Sequence, residues 1–182
     1  MKATGIVRRI DDLGRVVVPK EIRRTLHIRE GDPLEIFTDH EGGIVLRKYS
    51  PIGELSGFAK QYAEALSQTS GCIVSITDRE QHIAVSGQGR KELQSKALSK
   101  GLEKMIHQRT SGCFNTGDKQ FVALTPDEET TFSSQVIAPI IAEGDAIGAV
   151  VMTTKDTHIQ LGEVERKLAA AAAAFLGRQM EQ

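Results

Sequence analysis

Hydrophobic and polar positions alternate through most of the first fifty residues, which is typical of β-strands with one covered face. Two β-branched runs, at 5–10 and 15–18, are separated by a turn at 11–14 that ends in glycine. Pro19 then suits the first turn of a helix, where its missing N–H has no helical partner. The remaining predicted elements are a short helix at 20–26 and a hairpin with strands at 34–36 and 44–47 around the turn 39–43. The predicted order is β-β-helix-β-β.

This amino-terminal unit is small for an independent domain. Chains of about fifty residues bury little apolar surface, and this one contains neither a cysteine pair nor a metal-ligand motif. A second copy would supply the missing core if the two chains shared their hairpins. The size of the unit therefore predicts a dimer.

A different pattern begins at residue 51, where helical and strand-like periods follow one another. The predicted elements are a helix around 55–65, strands at 72–77 and 83–86 joined by the turn 78–81, a helix at 90–107, an irregular polar segment at 111–131, strands at 134–142 and 146–154 joined by the turn 143–145, and a helix at 162–180. Strands with helices before, between and after them indicate an α/β or α+β sandwich. We predict an α+β protein with domains at 1–50 and 56–182 and a linker at 51–55.

Both outer helices of the second domain carry an apolar stripe. Its members recur at intervals of three and four residues: Leu55, Phe58, Tyr62 and Ala65 in the first helix, and Leu161, Val164, Leu168, Ala171 and Phe175 in the last. Neither stripe is long enough for a coiled coil. Each is either a face packed into the core or part of a subunit interface. In the helix at 90–107 we expect the inward residues to be Leu93, Ala97, Leu102 and Met105.

Composition limits the class of protein. Of the 182 residues, 40% are hydrophobic and 26% charged, which suits a globular chain. The amino terminus has no apolar run of a signal peptide, and no stretch is long enough to span a bilayer, so we expect a cytoplasmic protein without a membrane partner. Cys72 and Cys113 form no CxxC motif, and the five histidines are scattered. We expect neither a metal nor a cofactor.

The net charge of −1 conceals an uneven distribution. Residues 1–29 carry eight basic and three acidic side chains, whereas residues 30–50 carry two basic and five acidic ones. A basic end on an otherwise acidic molecule is consistent with a nucleic-acid partner.

The residues around the first turn carry a resemblance to a known family. They read Asp11-Asp12-Leu13-Gly14-Arg15-Val16-Val17-Val18-Pro19, followed by Glu21-Ile22-Arg23-Arg24-Thr25-Leu26. Over about residues 1–50 the chain resembles the AbrB family of transition-state regulators. The resemblance implies a swapped-hairpin β-barrel formed by two chains, binding to double-stranded DNA, and DNA contacts at Arg8, Arg15, Arg23 and Arg24. Arg9, Arg29 and Arg47 are interpreted as solvated surface charges.

Residues 51–182 are similar to a GAF domain. The matching segments are Val136-Ile137-Ala138-Pro139-Ile140, the turn Glu143-Gly144-Asp145 and Ile147-Gly148-Ala149-Val150. The two domains together resemble a family of transcription regulators of spore development. That resemblance implies a dimer of dimers, giving a homotetramer.

Several alternatives remain open. The second domain either senses a small-molecule effector or only oligomerises. An antitoxin is the alternative of another class, since some antitoxins share the amino-terminal module, although their carboxy-terminal tails are usually disordered. A GAF-fold thiol reductase would need an accessible, low-pKa cysteine with a resolving partner, and no such pair is evident, so we expect no enzyme and no catalytic residue.

Overall fold

The computed structural model describes residues 5–26, 28, 30–40, 42–50, 52, 56–127 and 132–181. The chain divides into two compact units, residues 1–49 and residues 50–182. Of the predicted linker 51–55, only Ile52 is described, and its side chain is fully buried in the core of the second unit. Leu55 and Arg29 lie outside the described residues.

Within its described residues the first unit contains one short helix and one hairpin. Helix α1 is Lys20–Thr25, with Pro19 at the position just before it. Strands β1 (Leu34–Thr38) and β2 (Ile44–Lys48) pair antiparallel, in the register that places Ile36 opposite Leu46. The predicted helix and hairpin are confirmed.

The two strands predicted at 5–10 and 15–18 are not strands in this chain. Their β-branched composition is typical of strands, but a strand also needs a hydrogen-bonded neighbour. Within the described residues only the turn between the two segments is closed, by a bond from the backbone N–H of Asp11 to the carbonyl of Arg15 (3.1 Å). One chain therefore closes no barrel in its described part.

The second unit is a five-stranded antiparallel sheet between helices. Its strands are β3 (Ile73–Thr77), β4 (His82–Ser86), β5 (Gly112–Asn115), β6 (Ser134–Ala142) and β7 (Asp145–Thr154), in the spatial order β4-β3-β7-β6-β5. Its helices are α2 (Ser56–Ser70), α3 (Lys100–His107) and α4 (Glu163–Gln179). The α+β class is confirmed, and β5 is a strand within the segment predicted to be irregular.

The predicted helix at 90–107 is wrong in its first half. Residues Arg90–Glu92 form a 3₁₀ turn, and α3 begins only after Ser99, whose hydroxyl accepts from the N–H of Leu102 (3.1 Å). Between them the chain runs beside β4, where the N–H of His82 donates to the carbonyl of Lys96 (2.9 Å). Because the carbonyl of Lys96 is bonded to the edge strand β4, this part of the chain does not form a helix.

The late start of α3 also determines which residues of this region enter the core. Leu93, Leu102 and Met105 are buried, as predicted. Ala97 is exposed, and its prediction as an inward residue is wrong, because the helical period on which it rested does not extend through this position.

Side chains on the two faces of the sheet enter two separate cores. Helices α2 and α4 cover one face, against residues such as Val74, Ile76, Val136, Val150 and Met152. Helix α3 and the segment that includes Leu124 and Phe132 cover the other, against Ile73, Ile137, Ala149 and Val151. The alternation along each strand follows from the two-residue period of β-structure.

The apolar stripes of α2 and α4 face the core only in part, through Tyr62 and Leu168, which pack against it. Phe58 and Phe175 are 37% and 40% exposed, and Val164 is 67% exposed. The helices instead bury small residues, among them Ala59 and Ala63 in α2 and Ala169, Ala172 and Ala173 in α4. Small side chains let α4 approach the sheet so closely that a Cβ on Gly177 would meet the carbonyl oxygen of Ile141 at 2.0 Å. Leu161 is buried, as expected for a core residue.

Candidate nucleic-acid interface

The turn at residues 11–15 is organised by one carboxylate. Oδ1 of Asp11 accepts the backbone N–H groups of Leu13 (3.0 Å) and Arg15 (2.8 Å), and Oδ2 accepts Nε–H of Arg15 (2.8 Å). Gly14 has a φ of +76°, a conformation that glycine adopts at little cost. Asp at the start of a turn and Gly near its end are the residues such a turn prefers.

These hydrogen bonds favour the charged form of Asp11. The backbone N–H of Arg15 contributes most, followed by its guanidinium, and together they lower the pKa of Asp11 below its ordinary value of 3.8. The side chain of Arg15 is 69% exposed, so its guanidinium is oriented by Asp11 and is still reachable from solvent. Asp11 was not among the predicted site residues, although its spacing from Gly14 was the available signal.

The other three predicted DNA-contacting arginines lie outside this turn. Arg8 is exposed in the extended segment before the turn, and Arg24 lies on α1 beside Arg23. Arg24 is exposed, whereas Arg23 is half-buried, and its buried Nε has no hydrogen-bond partner within the described residues. The structure thus places Arg15 in a defined ion pair and Arg8 in open solvent.

The segments around this turn expose an unusual amount of apolar surface. Six side chains that would normally be covered are 39–89% exposed: Ile6, Val7, Ile10, Leu13, Val16 and Val17. The hairpin adds a second bare face, on which Ile36 (70% exposed) pairs with Leu46 (40%) and Ile44 (69%) lies beside them. Exposed apolar side chains in this number are typical of a surface that another protein covers.

The opposite face of the hairpin is partly polar. The guanidinium carbon of Arg47 lies 5.5 Å from the ring centroid of Phe37, a cation–π contact. Arg47 therefore makes its contact within its own hairpin.

In the second unit, buried polar side chains hold an irregular segment against the sheet. Nε2 of His82 is 3.1 Å from the carbonyl oxygen of Leu124, and its Nδ1 is 2.6 Å from the hydroxyl of Ser75. Because a carbonyl only accepts, Nε2 carries the proton and Nδ1 accepts from Ser75. The amide of Gln135, in the orientation that satisfies both of its groups, accepts from the N–H of Val122 (2.8 Å) and donates to its carbonyl (3.1 Å).

Burial controls the titration of His82. Its side chain is fully inaccessible, and desolvation of the charged form lowers its pKa to about 4 against the smaller opposing effect of the bond to Leu124. This core contains large buried side chains, Leu102, Leu124 and Phe132 among them. A surface groove of about 280 Å³ lies elsewhere, lined by polar residues such as Asn115, Thr116 and Gln160.

Neither cysteine has the properties of a nucleophile. Cys72 is buried, and Cys113 is partly covered with its thiol 3.3 Å from the carbonyl oxygen of Gly162. Desolvation raises the pKa of both thiols above the ordinary value of 9.0, so the reactive thiolate is disfavoured at neutral pH.

The described part of the chain offers no group of three His, Cys, Asp or Glu side chains that could hold a metal ion. None of the helices in that part combines the length and apolar character that a membrane crossing requires.

Comparison with known proteins finds relatives of both units. The family described as stage V sporulation protein T C-terminal, transcription factor, matches residues 54–181. The chain belongs to the stage V sporulation protein T family. Stage V sporulation protein T of Bacillus subtilis strain 168 is 55% identical over 182 residues, which are the whole of both chains. The resemblance to a family of sporulation regulators is confirmed.

The first unit matches in its own right. The transition state regulatory protein AbrB of Bacillus subtilis strain 168 is 63% identical over 51 residues, which cover 28% of this chain and 52% of AbrB. A family described as antidote-toxin recognition MazE, bacterial antitoxin, matches residues 7–54. The AbrB-like character of the amino-terminal module is confirmed.

The fold of the second unit is that of a GAF domain. The GAF domain of an Acinetobacter phosphoenolpyruvate-protein phosphotransferase superimposes with a TM-score of 0.58 at 13% identity, covering 69% of this chain and 81% of that one. At that identity the likeness concerns the fold alone. As a member of the stage V sporulation protein T family, the chain is a transcription regulator with an AbrB-like DNA-binding module and a GAF-like domain.

Proposed function

We propose that two copies of this chain form one DNA-binding module, in which Arg8, Arg15, Arg23 and Arg24 of each copy contact double-stranded DNA. The observation that carries the proposal is the turn in which Asp11 orients an exposed Arg15. A side chain whose direction is fixed before binding loses less entropy when it meets its partner.

The chemistry of Arg15 suits a DNA contact. Asp11 occupies Nε of the guanidinium, which leaves both terminal nitrogens for a ligand. Two parallel N–H groups match the oxygens of a phosphate, or O6 and N7 of guanine in the major groove. In this proposal contacts to the DNA phosphate backbone supply much of the affinity, and contacts to base edges together with the shape of the groove supply selectivity.

The bare apolar surfaces of the first unit support the second copy. Val7, Val17 and Ile36 are each at least 70% exposed in the single chain. Burial of such side chains contributes roughly 1.5–3 kcal/mol each. A partner copy with the same surfaces can cover them, and it also supplies the missing strand neighbours for residues 5–10 and 15–18.

The second unit is proposed to join such dimers into a tetramer. The outward stripe of α2 and α4 contains a ring cluster in which Tyr62 and Phe175 stack with centroids 5.7 Å apart, and Phe58 lies 5.7 Å from Phe175. Of the two meanings left open for this stripe, its exposure supports the subunit interface. A small-molecule effector of the second unit stays a hypothesis.

We further propose that the protein is not an enzyme and that it acts in the cytoplasm, where bacterial DNA lies. The raised thiol pKa values support the absence of cysteine catalysis. An antitoxin role has less support, because the 55% identity to a sporulation protein extends over the whole chain and the second unit is a folded domain.

The test is an Arg15→Ala variant, with Arg9→Ala as the matched control. Binding to a fluorescent duplex is measured by anisotropy at several salt concentrations, and the oligomeric state by sedimentation. We expect Arg15→Ala to lose most binding and to keep the oligomeric state of the wild type, and Arg9→Ala to bind as the wild type does. In the wild type, log affinity should fall with log salt by about 0.9 for each phosphate contacted. Full binding by Arg15→Ala would overturn the proposed site.

A further inference from the structure

Helix α3 presents a basic face to solvent. Lys100 and Lys104 are exposed and lie four residues apart on one side of the helix, together with the exposed His107 and the half-buried Glu103. The opposite side is buried through Leu102, Met105 and Ile106. The amphipathic pattern therefore separates the two lysines from the core within eight residues.

The positive charge extends beyond the helix. Residues 90–109 contain six lysines and arginines and two acidic residues, a balance of +4, although residues 51–182 as a whole carry −3. All six basic side chains are exposed: Arg90, Lys91, Lys96, Lys100, Lys104 and Arg109. Of the two acidic residues, Glu92 forms an ion pair with Lys155, outside this segment. We call these six exposed basic side chains on and beside α3 the α3 basic face; within it, the guanidinium of Arg109 also donates to the carbonyl of Gly144.

The position of this surface in the domain leaves it accessible. Helix α3 covers one face of the sheet, whereas α2 and α4 cover the other. The exposed aromatic cluster of Phe58, Tyr62 and Phe175 belongs to α2 and α4. If that cluster is buried between subunits, the α3 basic face of each copy still points away from the interface.

We propose that the α3 basic face binds the phosphate backbone of double-stranded DNA, as a sequence-independent contact in addition to the arginines of the first unit. The proposal rests on the proposed function, since the first unit is what brings a duplex to the protein. Lysines on flexible stems act as point charges, which suits phosphates but does not read bases. A duplex offers one negative charge per ~1.7 Å of its length, so a row of lysines can contact several phosphates.

The experiment compares three double variants of the full chain. Lys100→Gln with Lys104→Gln removes two charges from the α3 basic face. Lys60→Gln with Lys167→Gln removes two exposed charges from α2 and α4 and is the matched control. Lys100→Arg with Lys104→Arg keeps the charge. Binding of each to one fluorescent duplex is measured by anisotropy between low and moderate salt.

We expect the glutamine variant of α3 to bind more weakly, with a salt slope reduced by about 0.9 for each phosphate that it no longer neutralises. The control variant should keep the wild-type slope, and the arginine variant should restore it. A glutamine variant with the wild-type slope, or an arginine variant as weak as the glutamine one, would overturn the proposal. Either result is distinct from failure of the first-unit site, which is decided by Arg15→Ala alone.

Discussion

Arg15 and Asp11 form an ion pair in which Nε of the arginine lies 2.8 Å from Oδ2 of the carboxylate. The other oxygen of the same carboxylate holds the backbone N–H of Arg15, also at 2.8 Å. Backbone and side chain of one arginine are therefore fixed by a single acidic residue four positions earlier. A basic residue on an extended loop acquires a defined direction in this way without a recognition helix.

The first prediction concerns Asp11→Asn. The asparagine oxygen can still accept the backbone N–H groups, so the turn should form, but its amide nitrogen cannot accept Nε–H of Arg15. Exposed ion pairs are weak, because solvent screens the two charges. We therefore expect the ratio of affinities for a selected duplex and a random duplex to fall by up to about fivefold, measured by anisotropy.

Loss of the carboxylate also removes a negative charge near the proposed DNA, which favours random and selected duplexes alike. The ratio is therefore the quantity to compare, with Asp12→Asn as the control, since Asp12 is the exposed acidic neighbour. An unchanged ratio in Asp11→Asn would show that the ion pair does not position Arg15 for binding.

Much of the fold could be predicted from local patterns. The turn that ends at Gly14, the hairpin of β1 and β2, and the pair of β6 and β7 each carry their signal within a few residues, as alternating apolar positions around turn residues. These elements form as predicted because each makes its hydrogen bonds with residues that are close to it in the sequence. The arginine set came from the family resemblance, since charge alone does not separate Arg8 from Arg9.

The predictions are wrong where the structure of a segment depends on contacts with residues distant in the sequence. The runs at 5–10 and 15–18 have strand composition, but within the described residues they have no strand neighbour, which another copy would have to supply. On α2 and α4 several large apolar residues of the predicted stripes are exposed, whereas most of the buried residues are alanines. Close approach of α4 to the sheet selects small side chains there, as Gly177 illustrates.

A second prediction follows from His82. Its pKa is about 4 in the folded protein and about 6.5 in an unfolded chain, so between these values the unfolded state binds more protons. The stability of the second unit should therefore be fully present above pH 6.5 and decline by about 3 kcal/mol as the pH falls to 4. Urea unfolding followed by circular dichroism across this range measures the decline.

The variant His82→Gln tests the origin of that decline. It has no titrating side chain, so its stability should vary less between pH 6.5 and 4 than that of the wild type, whatever its absolute stability. His107→Gln removes an exposed histidine and should leave the profile unchanged. A His82→Gln profile as steep as that of the wild type would assign the decline to other groups.

A third prediction compares two glycines in helices. A Cβ at Gly177 in α4 would lie 2.0 Å from the carbonyl oxygen of Ile141, so the helix must move away from the sheet. We expect Gly177→Ala to lower the free energy of unfolding by about 1–3 kcal/mol. A Cβ at Gly57 in α2 would meet no atom within 4 Å, and Gly57→Ala should raise stability by about 0.4–1 kcal/mol. Equal effects in urea unfolding would contradict the close packing of α4.

The last prediction tests the outward aromatic cluster. Phe175 is 40% exposed and stacks on Tyr62, so a charge at this position should disrupt a subunit interface without disturbing the core. Phe175→Glu is expected to convert tetramers into dimers, as measured by sedimentation velocity, since an unpaired carboxylate in an apolar interface costs several kcal/mol. Ala170→Glu places the same charge on an exposed position of α4 outside the stripe and should leave the assembly unchanged. Because the first unit carries its own dimer contact in this proposal, Phe175→Glu should still bind DNA as a dimer. A Phe175→Glu protein that remains tetrameric would show that the dimers are joined through another surface.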